Sequence, residues 1–372
     1  MSSPVVKRRR RLLSGGRLLT LAVLLFLFVI FAPTTFVASK CWGEGFQVPM
    51  RRPEAARNIP NYARDEQYTY LALPEWVIID ATNEYARFIA KEPPSHFPYF
   101  SAIGQYWEQY GAVCAVTRRS YSYDAGTHVN LAVSGTIFSI ENVVKGLYEN
   151  SFGWLTERFS SRDTPEDAFA AGLALEYGTF MQTEPWYSFP FADRLVTLWT
   201  STPLMGAHQV RKWERRLSLT SELALKAVYA SIVGLSTGVA YAAAGPQVHV
   251  WIERTPASVL TDAQFTAVGE APNQGAILAL PGGEPFTRLM LDLHSRGVKF
   301  VSIAGNDDVL VTVTTRPNKP APPAPARVLT TVPVLTTPED SRYALSVPVA
   351  SLSDVMTAVL SNGGSVVRIY DY

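Results

Sequence analysis

Two long apolar stretches divide the chain. Residues 223–244 read LALKAVYASIVGLSTGVAYAAA, with Lys226 as their one charge, and residues 18–37 form a stretch of similar length without any charge. Because about twenty apolar residues cross the ~30 Å core of a bilayer as a helix, the pattern predicts two transmembrane helices. The alternative for the Ala-rich second stretch is a helix buried inside a soluble domain.

The second stretch also carries small residues at helical spacing. Ala230, Gly234, Gly238 and Ala242 recur every four residues and so share one helix face. Small residues let a second helix approach closely in lipid. We therefore expect this face to pack against another helix, either the first apolar stretch, a protein partner or a second copy of the chain. Chance spacing in an Ala-rich helix is the alternative.

Charge predicts how the first stretch is oriented. The tail 1–17 contains six basic residues and no acidic one. Under the positive-inside rule this tail stays in the cytoplasm, which makes 18–37 a signal anchor and places the protein in a membrane, the inner membrane if the source is bacterial. A cleaved signal peptide is the alternative, because small residues follow at Ala38 and Ser39.

The middle domain, 38–222, has mainly helical spacing and many aromatic residues. Residues 68–79 instead resemble a strand, and Thr164 followed by Pro165 and two acidic residues predicts a helix start. A helix is also expected over 130–148, broken or bent near Gly135. Core filling explains most of the aromatic residues, and a place at a membrane interface or a binding site is the alternative.

A basic run lies just before the second apolar stretch. It has Arg211, Lys212, Arg215 and Arg216 around Trp213, a composition typical of a short interfacial helix on lipid headgroups. Trp186, in an irregular aromatic loop, is a further candidate for the membrane interface. A solvated helix end is the alternative. The run also conflicts with the orientation given by the tail, because it favours the cytoplasmic side.

In the C-terminal domain, 245–372, apolar residues alternate as in strands. Two segments, 286–303 and 352–370, each run from a helix through glycine into a β-branched strand. A hairpin is expected between strands 298–304 and 309–315. The proline-rich insertion 316–327 reads as an extended linker or a ligand for a partner groove. The predicted fold class is thus an α+β membrane protein with two transmembrane helices, a mainly helical middle domain and a C-terminal α/β sandwich of the ferredoxin-like type.

Composition excludes some partners and cofactors. The net charge of +1 gives no global field for nucleic acid, so none is expected as a partner, whereas membrane lipids are. Cys41 and Cys114 form a disulfide if their compartment is oxidising, or remain free thiols. There is no C-x-x-C motif and the five histidines are scattered, so we expect no metal site and no cofactor.

Candidate catalytic residues are few. Glu141 and Glu176 lie in apolar runs, where burial would raise a carboxyl pKa, and His208 is a third candidate. Each carboxylate is more commonly solvated or paired with arginine. The leading hypothesis is a membrane-anchored, non-catalytic protein that acts in interaction, assembly or as a scaffold. The alternatives are an enzyme acting on a lipid or other apolar substrate and, third, a ligand-sensing membrane protein.

Overall fold

The computed structural model describes residues 20, 28, 31–43, 45, 54–160, 164–237, 247–317 and 323–371. Within these ranges the part before residue 238 is helical. Its α-helices are α1 (31–40), α2 (Gln67–Leu71), α3 (Leu73–Ile89), α4 (Tyr99–Ser120), α5 (Ala125–Tyr148), α6 (Trp154–Phe159), α7 (Pro165–Phe180), α8 (Phe191–Ser201) and α9 (Gln209–Thr237). α3 packs against α4 and α7, α4 against α5, and α8 against α9. The predicted tail 1–17 lies outside the described residues.

Aromatic side chains on α4 form the core beneath α5. Tyr106 and Tyr110 are fully buried, and the Tyr106 hydroxyl donates to the carbonyl oxygen of Leu131, 2.6 Å away. At Gly135 an added Cβ would lie 2.0 Å from the Tyr106 ring, so only glycine lets the ring approach this closely. The expected break of α5 at Gly135 is wrong, because the helix runs through it without interruption.

The strand expected at 68–79 is also wrong. This stretch forms α2 and the first turns of α3. Pro74 lies in the first turn of α3, where the backbone N–H that proline lacks would have no partner within the helix. Thr69, Tyr70 and Leu71 are consecutive and all buried, as residues of a buried strand would be, because α2 contacts both α4 and the C-terminal half.

The second apolar stretch continues a charged helix. α9 runs unbroken from the basic segment into the apolar one, and its described part ends at Thr237, so 238–244 lie outside the described residues. Of the first stretch, the structure describes only 20, 28 and 31–37. Among the described residues no helix has both the length and the apolar character that crossing a membrane requires. On this finding the predictions of transmembrane helices, a signal anchor and a membrane location are wrong.

The C-terminal half contains two antiparallel sheets of four strands in the described ranges. The elements are β1 (Gln247–Ile252), α10 (Ala257–Leu260), β2 (Thr266–Ala271), β3 (Gly275–Pro281), α11 (Glu284–Ser295), β4 (Phe300–Ile303), β5 (Asp308–Thr315), β6 (Arg327–Pro333), β7 (Ser341–Pro348), α12 (Leu352–Ser361) and β8 (Ser365–Ile369). The strand orders are β2-β3-β1-β4 and β6-β7-β5-β8. The second sheet therefore repeats the topology of the first.

In each repeat one helix joins two strands that flank a third. β3 and β4 both pair antiparallel with β1, so they are parallel to each other and α11 links them across β1. The two predicted helix–glycine–strand units are thus present. The ferredoxin-like arrangement is wrong, because each unit lies in its own sheet together with an added strand, β2 or β6. The hairpin expected between β4 and β5 is wrong for the same reason, since these strands belong to different sheets.

One hydrophobic core lies between the two sheets and includes side chains of α11 and α12. It takes Val250 from β1, Val311 from β5, Met290 from α11 and Met356 from α12, all fully buried or nearly so. The outer face of the second sheet packs through Leu310 against the helical half. The outer face of the first sheet packs against residues 56–63. Of the proline-rich connection between β5 and β6, residues 318–322 lie outside the described ranges.

Polar contacts fix the helical half onto the second sheet. The Thr69 hydroxyl accepts from the backbone N–H of Leu310 and donates to the carbonyl oxygen of Tyr370, both at 3.1 Å. Arg342 of β7 donates to Glu84 of α3, with Nη2 2.6 Å from Oε1. Burial by itself would lower the pKa of Arg342, but the carboxylates of Asp80 and Glu84 raise it above its usual value.

We expect Arg342→Met to destabilise the protein by about 3–5 kcal/mol, because the substitution leaves Glu84 as an unpaired buried carboxylate. The side chains of Arg342 and Glu84 are only 10% and 1% exposed. Arg57→Met is the control, since its pair with Glu54 is 69% and 85% exposed and is worth at most about 1 kcal/mol. Urea denaturation measures both variants. Equal losses would contradict a stabilising role for the Arg342–Glu84 contact.

We expect Glu66 to make the stability of the folded protein depend on pH. Burial, with repulsion from Asp308, raises its pKa from 4.5 to about 7. Below pH 4.5 the folded and unfolded states both hold the proton, and above pH 7 the folded state carries a poorly solvated charge. The contribution of Glu66 to stability is therefore lost as the pH rises from 4.5 through 7, and Glu66→Gln should remove that contribution from the pH dependence. Thermal unfolding of wild type, Glu66→Gln and the exposed-site control Glu54→Gln across this range measures it. Parallel curves for wild type and Glu66→Gln would refute the assignment.

Candidate binding groove

A large open groove lies between helices α3, α5, α7 and α9. Its volume is about 2670 Å³, and most of its lining is apolar or aromatic. We call it the interhelical groove. Its lining includes Tyr85 from α3, Ile140, Glu141, Val144 and Lys145 from α5, Ala174 and Tyr177 from α7, and Leu217, Glu222, Leu225, Lys226 and Tyr229 from α9.

Four charged side chains of the groove form one closed network between α5 and α9. Lys226 Nζ lies 2.6 Å from Glu141 Oε1 and 3.1 Å from Glu222 Oε1. Lys145 Nζ lies 2.9 Å from the same oxygen of Glu222 and 3.7 Å from Glu141. Two cations and two carboxylates thus neutralise one another, and the network ties the two helices together.

The network favours the charged forms of Lys145, Glu222 and Lys226. Burial alone would raise the pKa of Glu222, but Lys145 and Lys226 outweigh burial and lower it to about 2. Burial alone would lower the pKa of Lys226, and Glu141 and Glu222 raise it well above its usual value. The ammonium groups also lie over aromatic faces, Lys145 4.9 Å from the ring centroid of Tyr85 and Lys226 4.8 Å from that of Tyr177.

Exposed apolar side chains surround the groove. On α5 they follow helical spacing along one face: Val129, Val133, Ile140, Val144 and Leu147. On α9 the exposed apolar side chains include Leu217, Leu225, Val228 and Ile232. We call the α5 set the α5 ridge. Contiguous exposed apolar surface of this kind marks interaction sites in proteins.

One of the three candidate catalytic residues lies in the interhelical groove. Glu141 lies in its lining, paired as described. Glu176 is exposed on α7 and pairs with Arg194 of α8, and His208 is exposed just before α9. No common site of Glu141, Glu176 and His208 is therefore formed, and Glu141 contacts cations of its own chain.

The basic run of α9 is buried, not on a surface. Arg211, Lys212, Arg215 and Arg216 are at most 3% exposed. Their partners are carboxylates of neighbouring helices. Arg211 pairs with Asp167 at 2.8 Å, Lys212 with Glu166 at 3.0 Å, Arg215 with Glu149 and Arg216 with Glu166. The predicted contact with lipid headgroups is inconsistent with this burial, because guanidinium groups removed from water must pair inside the protein.

The two tryptophans of the predicted membrane interface contact their own chain. The Arg216 guanidinium lies 5.2 Å from the centroid of Trp213, and Trp186 stacks on Tyr229 with centroids 5.2 Å apart. Trp186 also lines the interhelical groove. Both rings therefore stabilise the packing around α9.

The small-residue stripe of α9 is placed only in part. Ala230 is buried against Phe189 and Leu223 within its own chain. Gly234 lies on α9, and Gly238 and Ala242 lie outside the described residues. The exposed face of α9 is a different one, formed by Leu225, Val228 and Ile232.

Cys41 and Cys114 are joined by a disulfide, with Cα atoms 4.5 Å apart. It links the residue that follows α1 to the middle of α4. Sequence reasoning left this bond and free thiols as alternatives.

The spacing of the four charged residues of the network could be recognised in the sequence. Glu141 and Lys145, like Glu222 and Lys226, stand four residues apart and so share a helix face. What the sequence could not give is that the two pairs face each other. Comparison with known protein families, with curated proteins and with solved structures finds no match, so the case for function depends on this geometry.

We expect Lys226→Met to destabilise the protein by about 1.5–3 kcal/mol, because it removes the shortest contact of Glu141 and one of the two cations that hold Glu222. Arg194→Met is the control, since its pair with Glu176 is more exposed and contributes at most about 1 kcal/mol. Urea unfolding compares the two. A Lys226→Met loss no larger than that of Arg194→Met would show that the network does not hold α5 to α9.

Proposed function

We propose that the protein is a non-catalytic assembly protein, and that its interhelical groove receives the α5 ridge of a second copy. The observation that carries this proposal is the combination, on one chain, of a wide apolar groove and an exposed apolar helix ridge that shares Ile140 and Val144 with the groove lining. Reciprocal insertion would form a two-fold symmetric dimer, in which both copies use the same surface.

The size of the groove supports a protein occupant over a small molecule. Small-molecule sites usually measure ~300–1,000 Å³, and this groove, at about 2670 Å³, is more than twice that upper value. A helix presenting an apolar face is the usual occupant of a groove between helices.

The four charges of the network between α5 and α9 favour an occupant whose face beside them is uncharged. Glu141, Lys145, Glu222 and Lys226 pair among themselves, so an unpaired charge brought against them would be desolvated without compensation. The α5 ridge meets this condition, because its exposed side chains are valine, isoleucine and leucine. Apolar side chains in the centre and ion pairs beside them are also the usual anatomy of a protein interface.

The same geometry gives no support to catalysis. Lys145 and Lys226 raise the acidity of Glu222, which lowers its capacity to act as a base. Glu176 and His208 lie outside the groove lining. The enzyme acting on an apolar substrate stays a prediction, and so does the ligand sensor.

Leu225→Glu tests the proposal directly. Leu225 lies in the groove lining and is 72% exposed, so the substitution leaves the fold intact but puts a charge where the ridge of the second copy would pack. We expect sedimentation velocity of the full chain to give a concentration-dependent dimer for the wild type. The variant should require at least ~10-fold higher concentration to dimerise, since burying an unpaired charge costs more than 1.4 kcal/mol.

Leu360→Glu is the matched control. Leu360 is an exposed leucine on α12, 44% exposed and outside the groove lining, so this variant should dimerise as the wild type does. A wild type that is monomeric at all concentrations would overturn the second copy as occupant. Equal weakening by both substitutions would overturn the groove as the interface.

A further inference from the structure

Two cysteines and one histidine meet in the core that joins α1, α4 and α5. Cys41, Cys114 and His128 are each at most 2% exposed. Their sulfur atoms and a ring nitrogen of the histidine all lie within 4.8 Å of one another. Each comes from a different segment, since Cys41 follows α1, Cys114 lies on α4 and His128 lies in the first turn of α5.

We infer that the reduced form of the protein binds one zinc ion through Cys41, Cys114 and His128, so that disulfide and metal are alternative links between the same three segments. Two thiolates and one imidazole are the ligand types that zinc prefers. With Zn–S and Zn–N bonds of about 2.0–2.3 Å, tetrahedral ligand atoms lie roughly 3.5 Å apart. To reach this spacing the two sulfurs must separate, which reduction of the disulfide permits.

The ring of His128 is held by Tyr110 and Tyr123. The Tyr110 hydroxyl lies 3.0 Å from His128 Nδ1 and 3.2 Å from the carbonyl oxygen of His128. When the hydroxyl donates to that carbonyl oxygen, Nδ1–H donates to the hydroxyl and Nε2 keeps its lone pair. Metal-ligating histidines are typically fixed by such a hydrogen bond on the other ring nitrogen. The imidazole also stacks on Tyr123, with centroids 4.8 Å apart and planes 9° from parallel.

The conversion of the disulfide form into the zinc-bound form accounts for every electron and proton. A dithiol reductant gives two electrons and two protons to the Cys41–Cys114 disulfide, breaks the S–S bond and becomes a disulfide itself. The two protein thiols then lose their protons to the solvent as their sulfurs bind Zn²⁺. Three protein ligands leave the fourth position of a tetrahedral zinc site to water or another donor.

Cobalt substitution tests this inference on the full chain. The protein is reduced with a dithiol, and the reductant is removed under anaerobic conditions. A thiol titration then establishes that each chain carries two free thiols before Co²⁺ is added. We expect one Co²⁺ per chain, with thiolate charge-transfer bands and the strong visible absorption of tetrahedral cobalt, and displacement by one equivalent of Zn²⁺. The oxidised protein should bind none at this site. Reduced wild type that gives no such spectrum would overturn the inference.

Two histidine variants show whether His128 is a ligand. His128→Phe retains an aromatic ring between Tyr110 and Tyr123 but removes the nitrogen, and should weaken Co²⁺ binding at least ~10-fold, the lower end of what loss of an outer-shell partner costs. His96→Phe, at an exposed site, should bind as the wild type does. Unchanged affinity in a folded His128→Phe protein would overturn the three-ligand site, and circular dichroism of the reduced variant establishes that it is folded.

Discussion

The burial of cations on α9 is the constraint on which the helical half depends. Arg211 and Arg216 are fully buried, and a guanidinium removed from water must be paired. The carboxylates that pair with them come from α7, and the partner of the neighbouring Arg215 is Glu149, from the segment after α5. These elements are therefore held around the first turns of α9. Further along, Lys226 repeats the arrangement with Glu141 of α5. The interhelical groove lies among the helices that these contacts position.

The same constraint explains why the sequence was misleading about α9. The apolar run after residue 222 is long enough for a membrane span, and the basic run before it fits an interfacial segment. Composition along one segment does not show that acids such as Glu149 and Glu166, more than forty residues away, neutralise those cations. Pairings between distant segments are set by the tertiary fold, which local patterns do not encode. Helix starts such as Thr164 were predictable, because their signals are local.

The C-terminal half was also only partly predictable from local sequence patterns. Its two helix–glycine–strand units could be read from the sequence, since each is one short and continuous pattern. Their assignment to one ferredoxin-like sheet failed, because β2 (TAVGEA) is mostly exposed and shows no apolar alternation, and because strand order depends on distant pairing. With both extra strands in place, the half is a duplicated unit whose two sheets share one core through α11 and α12. For the candidate site, Glu141 was recognised as unusual, but its partners and the groove were not.

The central claim is that the groove and the α5 ridge bind each other between two copies. Hydrogen–deuterium exchange of the full chain, measured at high and low protein concentration, tests it without any substitution. The account predicts added protection at high concentration for amides of α5 and of the apolar part of α9, and no change in α11 and α12. Protection that is independent of concentration, or that increases only in the C-terminal half, would contradict it.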